Sequence, residues 1–387
     1  MGAMIDVSVV MPCLNEEATI GTCIDLARRG LERSGLSGEI IVADNGSTDR
    51  SAEVAESHGA RVVGVSSRGY GHAYRGGISE ASGRVIVIGD SDGTYDFSRL
   101  GDLVRPLKDG AELVLGSRLR GSIQRGAMPW LHRYVGNPFL SMLLNRFYRT
   151  RISDTHSGLR AFTRDAYDRM GLRSGGMEWA SEMLIVAAQK GMRIVEVPIS
   201  YQPRTGESKL RSFRDGWRHL RLLLLCSPRH LFTIPGMAMA ASGMALLLVL
   251  LPGPIWVRGR PIDYHFMFVG ALLAILGVQV ATLGLFAHSR WQAPAWFTLE
   301  RGLLAGLAVL AAGIGTNVYI LWDWIASGFG QLNAVRAAVF ALTLTVVGTQ
   351  VLFSSFYLDL LRDDSATRTP GLARASPGES GSQESAP

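Results

Sequence analysis

The chain has 387 residues, 47% of them hydrophobic, and a formal charge of +6 that rests on arginine, the lysines being Lys108, Lys190 and Lys209 alone. This length holds a full domain and more, and the apolar excess gathered after about residue 230 excludes a uniformly soluble chain. A basic balance beside long apolar segments points to an anionic membrane surface or phosphorylated substrates, and away from nucleic acid.

Cys13, Cys23 and Cys226 form no C-x-x-C pair and no metal spacing, so neither a disulfide nor a zinc site is expected. The opening MGAMIDVSVV lacks a basic segment followed by an apolar one, so no secretory signal is expected and the first domain should stay in the cytosol.

Residues 5–12 read as a first strand, followed by PCLNEE at 12–17. Ile20, Cys23, Ile24, Ala27 and Leu31 recur at helical spacing up to Gly35. EIIVAD at 39–44 is a second strand running into the turn NGSTD, which also suits the cap of the next helix. A third strand at 61–66 leads to the Gly-rich loop RGYGHA at 68–73 and a helix reaching Gly83. The Gly-rich loop is not G-x-G-x-x-G after the first strand, which disfavours a dinucleotide fold.

The central stretch is VIVIGDSDGTYD at 85–96. Its apolar run reads as a buried parallel strand, and Asp90 and Asp92 stand two residues apart at its end. If extended geometry persists, both acids project to one side of the carboxyl end of the strand, where open α/β sheets bind ligands. Paired hard oxygen ligands there suit Mg²⁺ or Mn²⁺. A fifth strand is expected at 111–118, and strands alternating with helices predict a mostly parallel, doubly wound sheet.

From 128 to 151, aromatic and leucine residues mix with Arg133, Arg146, Arg149 and Arg151, with no acid before Asp154. A core-facing helix and a membrane-surface helix both fit this pattern. DTHSGLRAF at 154–162 is a polar turn into a strand; a helix at 178–190, a last strand at 194–201 and a basic loop, QPRTGESKL, at 202–210 follow. Residues 213–230 have the composition of an interfacial helix.

Four charge-free stretches, 231–251, 266–287, 302–322 and 337–358, are each long enough to cross a bilayer. Four spans return the C-terminus to the side of the first domain and put most flanking arginines there, which predicts a cytoplasmic first domain in the plasma membrane; Arg258 and Arg260 run against this bias. Gly302-x-x-x-Gly306 is a weak helix-packing signal. The expected organisation is an α/β domain at 1–212, an amphipathic juxtamembrane helix at 213–230, four transmembrane helices at 231–361 and a disordered tail at 362–387.

VVMPCLNEE, IIVADNGSTDRS, RGYGHA, VIGDSDGTYD, LGSR and DTHSGLRAF occur in this order. Together they resemble a family 2 glycosyltransferase of GT-A fold, nearer to the polyprenyl- or dolichyl-phosphate mannose or glucose synthases with C-terminal membrane helices. The motifs cover residues 5–212; the membrane part carries none of its own. The resemblance implies that Pro12, Asn15, Glu16, Asp44 and Gly71 surround the nucleotide and that Asp90 lies near sugar and metal. It implies Asp92 as the metal ligand, Arg118 and Arg133 as holders of the lipid phosphate, and Arg204, Ser208 and Lys209 as the loop that closes on the donor diphosphate. Gly93-Thr94 replace the Leu-Gln of many relatives, which removes one expected helper of the metal.

The implied reaction moves a hexose from UDP-glucose or GDP-mannose to polyprenyl phosphate with inversion, and the DGTYD segment leans to UDP-glucose. The catalytic set is then Asp92, Arg118, Arg133 and Lys209. A phosphate acceptor is already anionic near neutral pH, so no general base is required. Glu178 and Glu182, one helical turn apart, could form a carboxylate pair for acid–base work, but read mainly as one residue lining the sugar site and the other capping or pairing locally; His72 and His156 lie in loops near the motifs and read mainly as structural hydrogen-bonders. Two other readings stand beside this one. A processive polysaccharide synthase would carry Q-x-x-R-W, which is missing; a transport or flippase partner would bind nucleotide sugar without transferring it. The expected partners are the nucleotide sugar, the lipid phosphate and the bilayer; a homo-oligomer is left open.

Overall fold

The computed structural model describes residues 5–205, 212–289, 298–330 and 334–367. The contacts divide the chain into two units, Met1–Cys226 and Ser227–Pro387.

The first unit follows the order β1 (Val7–Cys13), α1 (Ile20–Arg33), β2 (Gly38–Asp44), α2 (Ser51–Ser57), β3 (Arg61–Gly64), α3 (Tyr70–Ser79), β4 (Val85–Ile88), α4 (Leu100–Lys108), β5 (Leu113–Ile123), α5 (Asn137–Tyr148), β6 (Arg160–Thr163), α6 (Arg164–Met170), α7 (Trp179–Gln189), β7 (Ile194–Tyr201) and α8 (Ser212–Leu225). Its strands form one sheet in the order β3-β2-β1-β4-β6-β5-β7. All neighbours pair in parallel except β6, which runs against both β4 and β5. The sheet is therefore mostly parallel, with the reversal confined to the strand that follows DTHSG.

Alternation along the strands divides the core into two layers. Val7, Val9 and Met11 of β1 face α1 and α4, where Ile24, Leu100 and Leu103 are buried. Val10, Ile41, Ile86 and Ile88 face the other side, against Tyr74 and Ile78 of α3 and Trp179, Met183 and Leu184 of α7. Since β1, β2, β4, β5 and β7 share one direction, the segments after Cys13, Asp44, Ile88 and Tyr201 gather at one sheet edge.

Two expected boundaries move. A π-helical turn at His132–Gly136 precedes α5, so the arginine-rich stretch is a turn plus a shorter helix. The expected helix at 213–230 is broken: α8 stops at Leu225 and helical structure resumes at Arg229. Pro228 explains the break, because it lacks an N–H and disfavours helical backbone before it. α8 consequently belongs to the first unit.

In the second unit the π-type turn Arg229–Thr233 runs into α9 (Ile234–Leu250). A short hairpin, β8 (Ile255–Val257) and β9 (Arg260–Ile262), precedes α10 (Tyr264–Ser289), α11 (Leu299–Ala326) and α12 (Val335–Thr367). Among the described residues four segments are long and apolar enough to cross a bilayer: Arg229–Leu250, Tyr264–Ala287, Leu299–Ala326 and Val335–Leu361. α12 extends past residue 361 into the expected tail, and residues 368–387 lie outside the described residues.

These helices meet through small residues. A Cβ on Gly277 of α10 would lie 2.2 Å from the backbone N of Ala240 on α9, and one on Gly348 of α12 would lie 2.4 Å from the N of Leu310 on α11. Such close approach maximises dispersion contact where lipid offers no hydrophobic drive. Gly306 of the G-x-x-x-G pair abuts Leu352 in the same manner. Arg336 at the start of α12 bonds Asp263 at 2.7 Å and lies over the Tyr264 ring, which places it on the hairpin side with Arg258 and Arg260.

Trp179 is fully buried and stacks on Tyr74 with ring centroids 5.0 Å apart. Trp179→Ala should lower the stability of the first unit by about 3–5 kcal/mol, read from chemical denaturation in detergent.

Candidate active site

The site is built at the carboxyl edge of the sheet. After β1 the chain turns sharply: Asn15 has φ 54°, a left-handed conformation that Asn tolerates better than most residues. Its side chain accepts from Thr48 N at 2.7 Å, while Ser47 Oγ and Ser51 Oγ accept from the backbone N–H groups of Asn15 and Glu16. After β2, Asp44 accepts from Gly46 N and Ser47 N. Asn45, which sequence reasoning passed over, donates to the carbonyls of Val65 and Ser67 and accepts from Gly69 N at 2.7 Å. It thereby ties the end of β2 to the Gly-rich loop.

β4 ends at Ile88, so Asp90 and Asp92 stand on the turn beyond the strand and not on its alternating face. This corrects the extended-geometry argument, although both acids still reach the same edge. Asp90 Oδ1 accepts from the hydroxyls of Tyr70 at 2.9 Å and Tyr74 at 3.2 Å. Gly158 closes its other side: a Cβ there would lie 2.5 Å from Asp90 Oδ2. Burial and then the charge of Asp92 push the Asp90 carboxyl up to about 6, with the two phenols pulling the other way. Burial holds both phenols well above their usual range, so they remain donors.

Asp92 Oδ1 accepts from Thr94 N and Oγ1, and its Oδ2 lies 3.6 Å from Arg204 Nε. Arg204 also bonds Glu16 at 2.8 Å, which joins the segment after β7 to that after β1. Gly93 takes φ 78°, as the sharp turn requires. Thus Glu16, Asp90, Asp92 and Arg204 are brought to one place, and Ser208 and Lys209 lie outside the described residues.

The two arginines assigned to the acceptor differ in kind. Arg118 is 7% exposed, and its Nε and Nη2 bond both oxygens of Asp154 at 2.7 and 2.8 Å. The fork expected to hold a phosphate is therefore already occupied on that edge. Its guanidinium also lies 5.0 Å from the Tyr201 ring centroid. Burial alone would push Asp154 up, but the Arg118 charge and hydrogen bonds hold it below its usual range. Arg133, in the π-helical turn, is half-buried and stacks on Tyr134 at 5.3 Å.

Gly71 is buried under the 174–175 segment, where a Cβ would lie 2.5 Å from Ser174 O, so its part is close packing. Pro12 O accepts from Ser91 Oγ, locking the β1 and β4 ends together. Glu182 accepts from Arg173 N and Ser174 N, so it is the one of the two glutamates that bonds locally. His72 N bonds Gly175 O. Asp154, Glu196, Tyr70 and Tyr74 were missed as site residues; only the Tyr70/Tyr74 spacing of four, one face of a helix, was readable in advance.

A divalent cation fits this donor set. Two carboxylates of hard oxygens stand together, Asp90 with its ionisation held back by burial first and by the charge of Asp92 second, and Asp92 facing Arg204 at 3.6 Å. Among the described residues no group of three or more His, Cys, Asp or Glu is placed to hold a metal, so remaining ligands would come from substrate oxygens and water.

Residues 8–171 match the family described as Glycosyl transferase family 2, and residues 288–362 match the Glycosyltransferase family 2 C-terminal transmembrane region. The chain is 42% identical over 367 residues to the low-salt glycan biosynthesis hexosyltransferase Agl6 of Haloferax volcanii, covering 92% of this chain and 88% of that one. It belongs to glycosyltransferase family 2. A dolichyl-phosphate hexose transferase of the same organism is 35% identical over 215 residues, 54% of this chain and 89% of its own. The undecaprenyl-phosphate 4-deoxy-4-formamido-L-arabinose transferase of Klebsiella pneumoniae is 29% identical over 297 residues, 73% and 87% respectively. The glycosyltransferase is thus a multi-pass membrane protein with its motifs in the first unit.

The charge balance gives a direct test. Below about pH 6 Asp90 binds a proton, which removes the charge that a cation would share. Mn²⁺ should raise the melting temperature more at pH 7.5 than at pH 5, and should have little effect on Asp92→Ala at either pH.

Proposed function

We propose that this glycosyltransferase moves a hexose from a nucleoside diphosphate sugar to a polyprenyl phosphate at the cytoplasmic face of the membrane. The observation that carries the reading is the meeting of Asp90, Asp92, Glu16 and Arg204 at the sheet edge, in a chain whose second unit holds four spans. Relatives named for dolichyl- and undecaprenyl-phosphate transfer support the acceptor class.

In this reading Asn15, Glu16 and Asp44 frame the nucleotide. Asp92, with Asp90 beside it, holds Mg²⁺ or Mn²⁺, which when bound acts as a Lewis acid on the departing diphosphate. Arg204 leaves Glu16 and Asp92 for the diphosphate oxygens when the donor enters, and Ser208 and Lys209 close over it. Lys209 supplies a compact mobile charge. The acceptor phosphate is its own nucleophile and attacks in line, so the anomeric centre inverts. Arg133 is the arginine with an edge to offer that phosphate; Arg118 contributes a fixed positive charge beside it. Catalysis is then positioning and neutralisation of two anions.

The lipid acceptor requires the first unit to work at the bilayer surface. Trp130, Tyr134, Phe139 and Met142 around α5, with Trp217 and Leu225 of α8, are exposed and surrounded by arginine, the composition of an interfacial surface. Arginine placement around the four spans supports a cytoplasmic catalytic unit. UDP-glucose is the favoured donor, with GDP-mannose the other to try.

Membranes given a labelled sugar nucleotide, Mn²⁺ and polyprenyl phosphate should yield a chloroform-soluble product. Asp92→Ala should reduce its formation at least 100-fold, on the scale of losing a charge-stabilising group. Arg133→Ala should raise the acceptor KM about tenfold with the donor KM unchanged. An insoluble polymer, or donor binding with no product, would overturn the reading.

A further inference from the structure

Three elements converge by buried polar contacts on the turn that holds Asp154. From α5, Ser141 Oγ lies 3.1 Å from Thr155 Oγ1 and accepts from Thr155 N. From β7, Glu196 Oε1 accepts from Ser153 N, Ser153 Oγ and Asp154 N. From α8, the His219 ring meets the His156 ring edge-on with centroids 4.6 Å apart, and Ser181 Oγ lies 2.8 Å from His219 Nδ1. His156 Nδ1 in turn pairs with Thr155 Oγ1 at 2.9 Å, and its backbone N reaches Asp154 Oδ1. Asp154 then grips Arg118 by two hydrogen bonds.

We propose that His219 is a positioning residue for transfer: through His156 and the 153–156 turn it holds Asp154, and so fixes the Arg118 charge at the acceptor side. This rests on the acceptor reading above for its kinetic consequence, but not for its structural one.

The pair has a particular chemical weakness. His156 Nε2 is buried with no hydrogen-bond partner, so a proton placed there would meet no acceptor on the protein. Burial first, and the neighbouring His219 second, hold His156 well below its usual range. Of the charged groups around it, Asp154 favours the protonated ring, whereas Arg118 and Arg160 oppose it. Arg160 is itself fixed to the carbonyls of Thr155, Ser157 and Ala180, so it cannot move aside without loosening the same turn. The latch therefore holds while the His156 ring is neutral. As the pH falls below the ordinary histidine value of about 6.5, the form without the latch binds the extra proton more readily, and the latch weakens.

The test uses the full chain in detergent with His219→Ala and His219→Asn, the second keeping a hydrogen-bond partner for Ser181. At pH 7.5, hydrogen exchange of peptides covering residues 153–160 should speed up in His219→Ala and recover in part in His219→Asn, with peptides of β1 and β2 unchanged. The KM for polyprenyl phosphate should rise about tenfold in His219→Ala, as for a misplaced reacting group, with the donor KM within about twofold. Asp154→Asn should reproduce that split, and the double variant should add little to either. Between pH 7.5 and 5.5 the acceptor KM should climb more steeply in the wild type than in His219→Ala, whose latch is already open. Unchanged exchange at 153–160, or equal rises in both KM values, would overturn the latch. Wild-type protein that transfers no sugar to polyprenyl phosphate, yet loses exchange protection in His219→Ala, would keep the latch and sink only the acceptor assignment.

Discussion

Everything at the site depends on a concentration of negative charge that the protein does not cancel by itself. Asp90 and Asp92 share a turn at the end of β4, and the first has its ionisation pushed up to about 6 by burial and by the second. The fold tolerates this because Tyr70 and Tyr74 hydrogen-bond Asp90, Thr94 hydrogen-bonds Asp92, and Arg204 reaches across from the segment after β7. The phenols and Thr94 are hydrogen-bond donors, and the cation Arg204 faces Asp92 and Glu16, not Asp90. Two neighbouring carboxylates of this kind are the hard oxygen donors that suit a divalent ion.

The opposite choice is made for Arg118. Its guanidinium is held in place in advance by Asp154, in a pair almost wholly out of water. Removing one member of such a pair strands a buried charge, so the contact specifies a geometry more than it adds stability. The geometry is held at 153–156 by polar contacts from α5 and β7 and by the ring contact of His219 from α8. One turn of the glycosyltransferase thus carries two neighbouring carboxylates, and another holds an arginine rigidly in a buried pair.

Much of this was legible in the sequence. The apolar runs and their spacing marked β1 to β5 and β7 to within a few residues, and the four apolar stretches matched the four spans because length and the lack of charge decide both. Asp90 and Asp92 were found for a partly mistaken reason: the strand ends at Ile88, and a turn, not the pleat, places them. What the sequence hid was long-range. The reversed β6, the grip of Asp154 on Arg118 across 36 positions and the meeting of His156 with His219 depend on which elements become neighbours, and no local pattern carries that information. The end of α8 was hidden differently. Its apolar and basic periodicity runs on past Cys226, but Pro228 forces the break that the periodicity does not show.

The central proposal is that Asp92 would hold a divalent ion, which would supply Lewis-acid stabilisation to the donor diphosphate. Electron–nuclear double resonance of Mn²⁺ bound to the protein with its nucleotide sugar tests this most directly. The account predicts strong ³¹P coupling in the wild type, together with a bound Mn²⁺ signal that is lost in Asp92→Asn. A wild-type spectrum without ³¹P coupling, or one that Asp92→Asn reproduces unchanged, would contradict it.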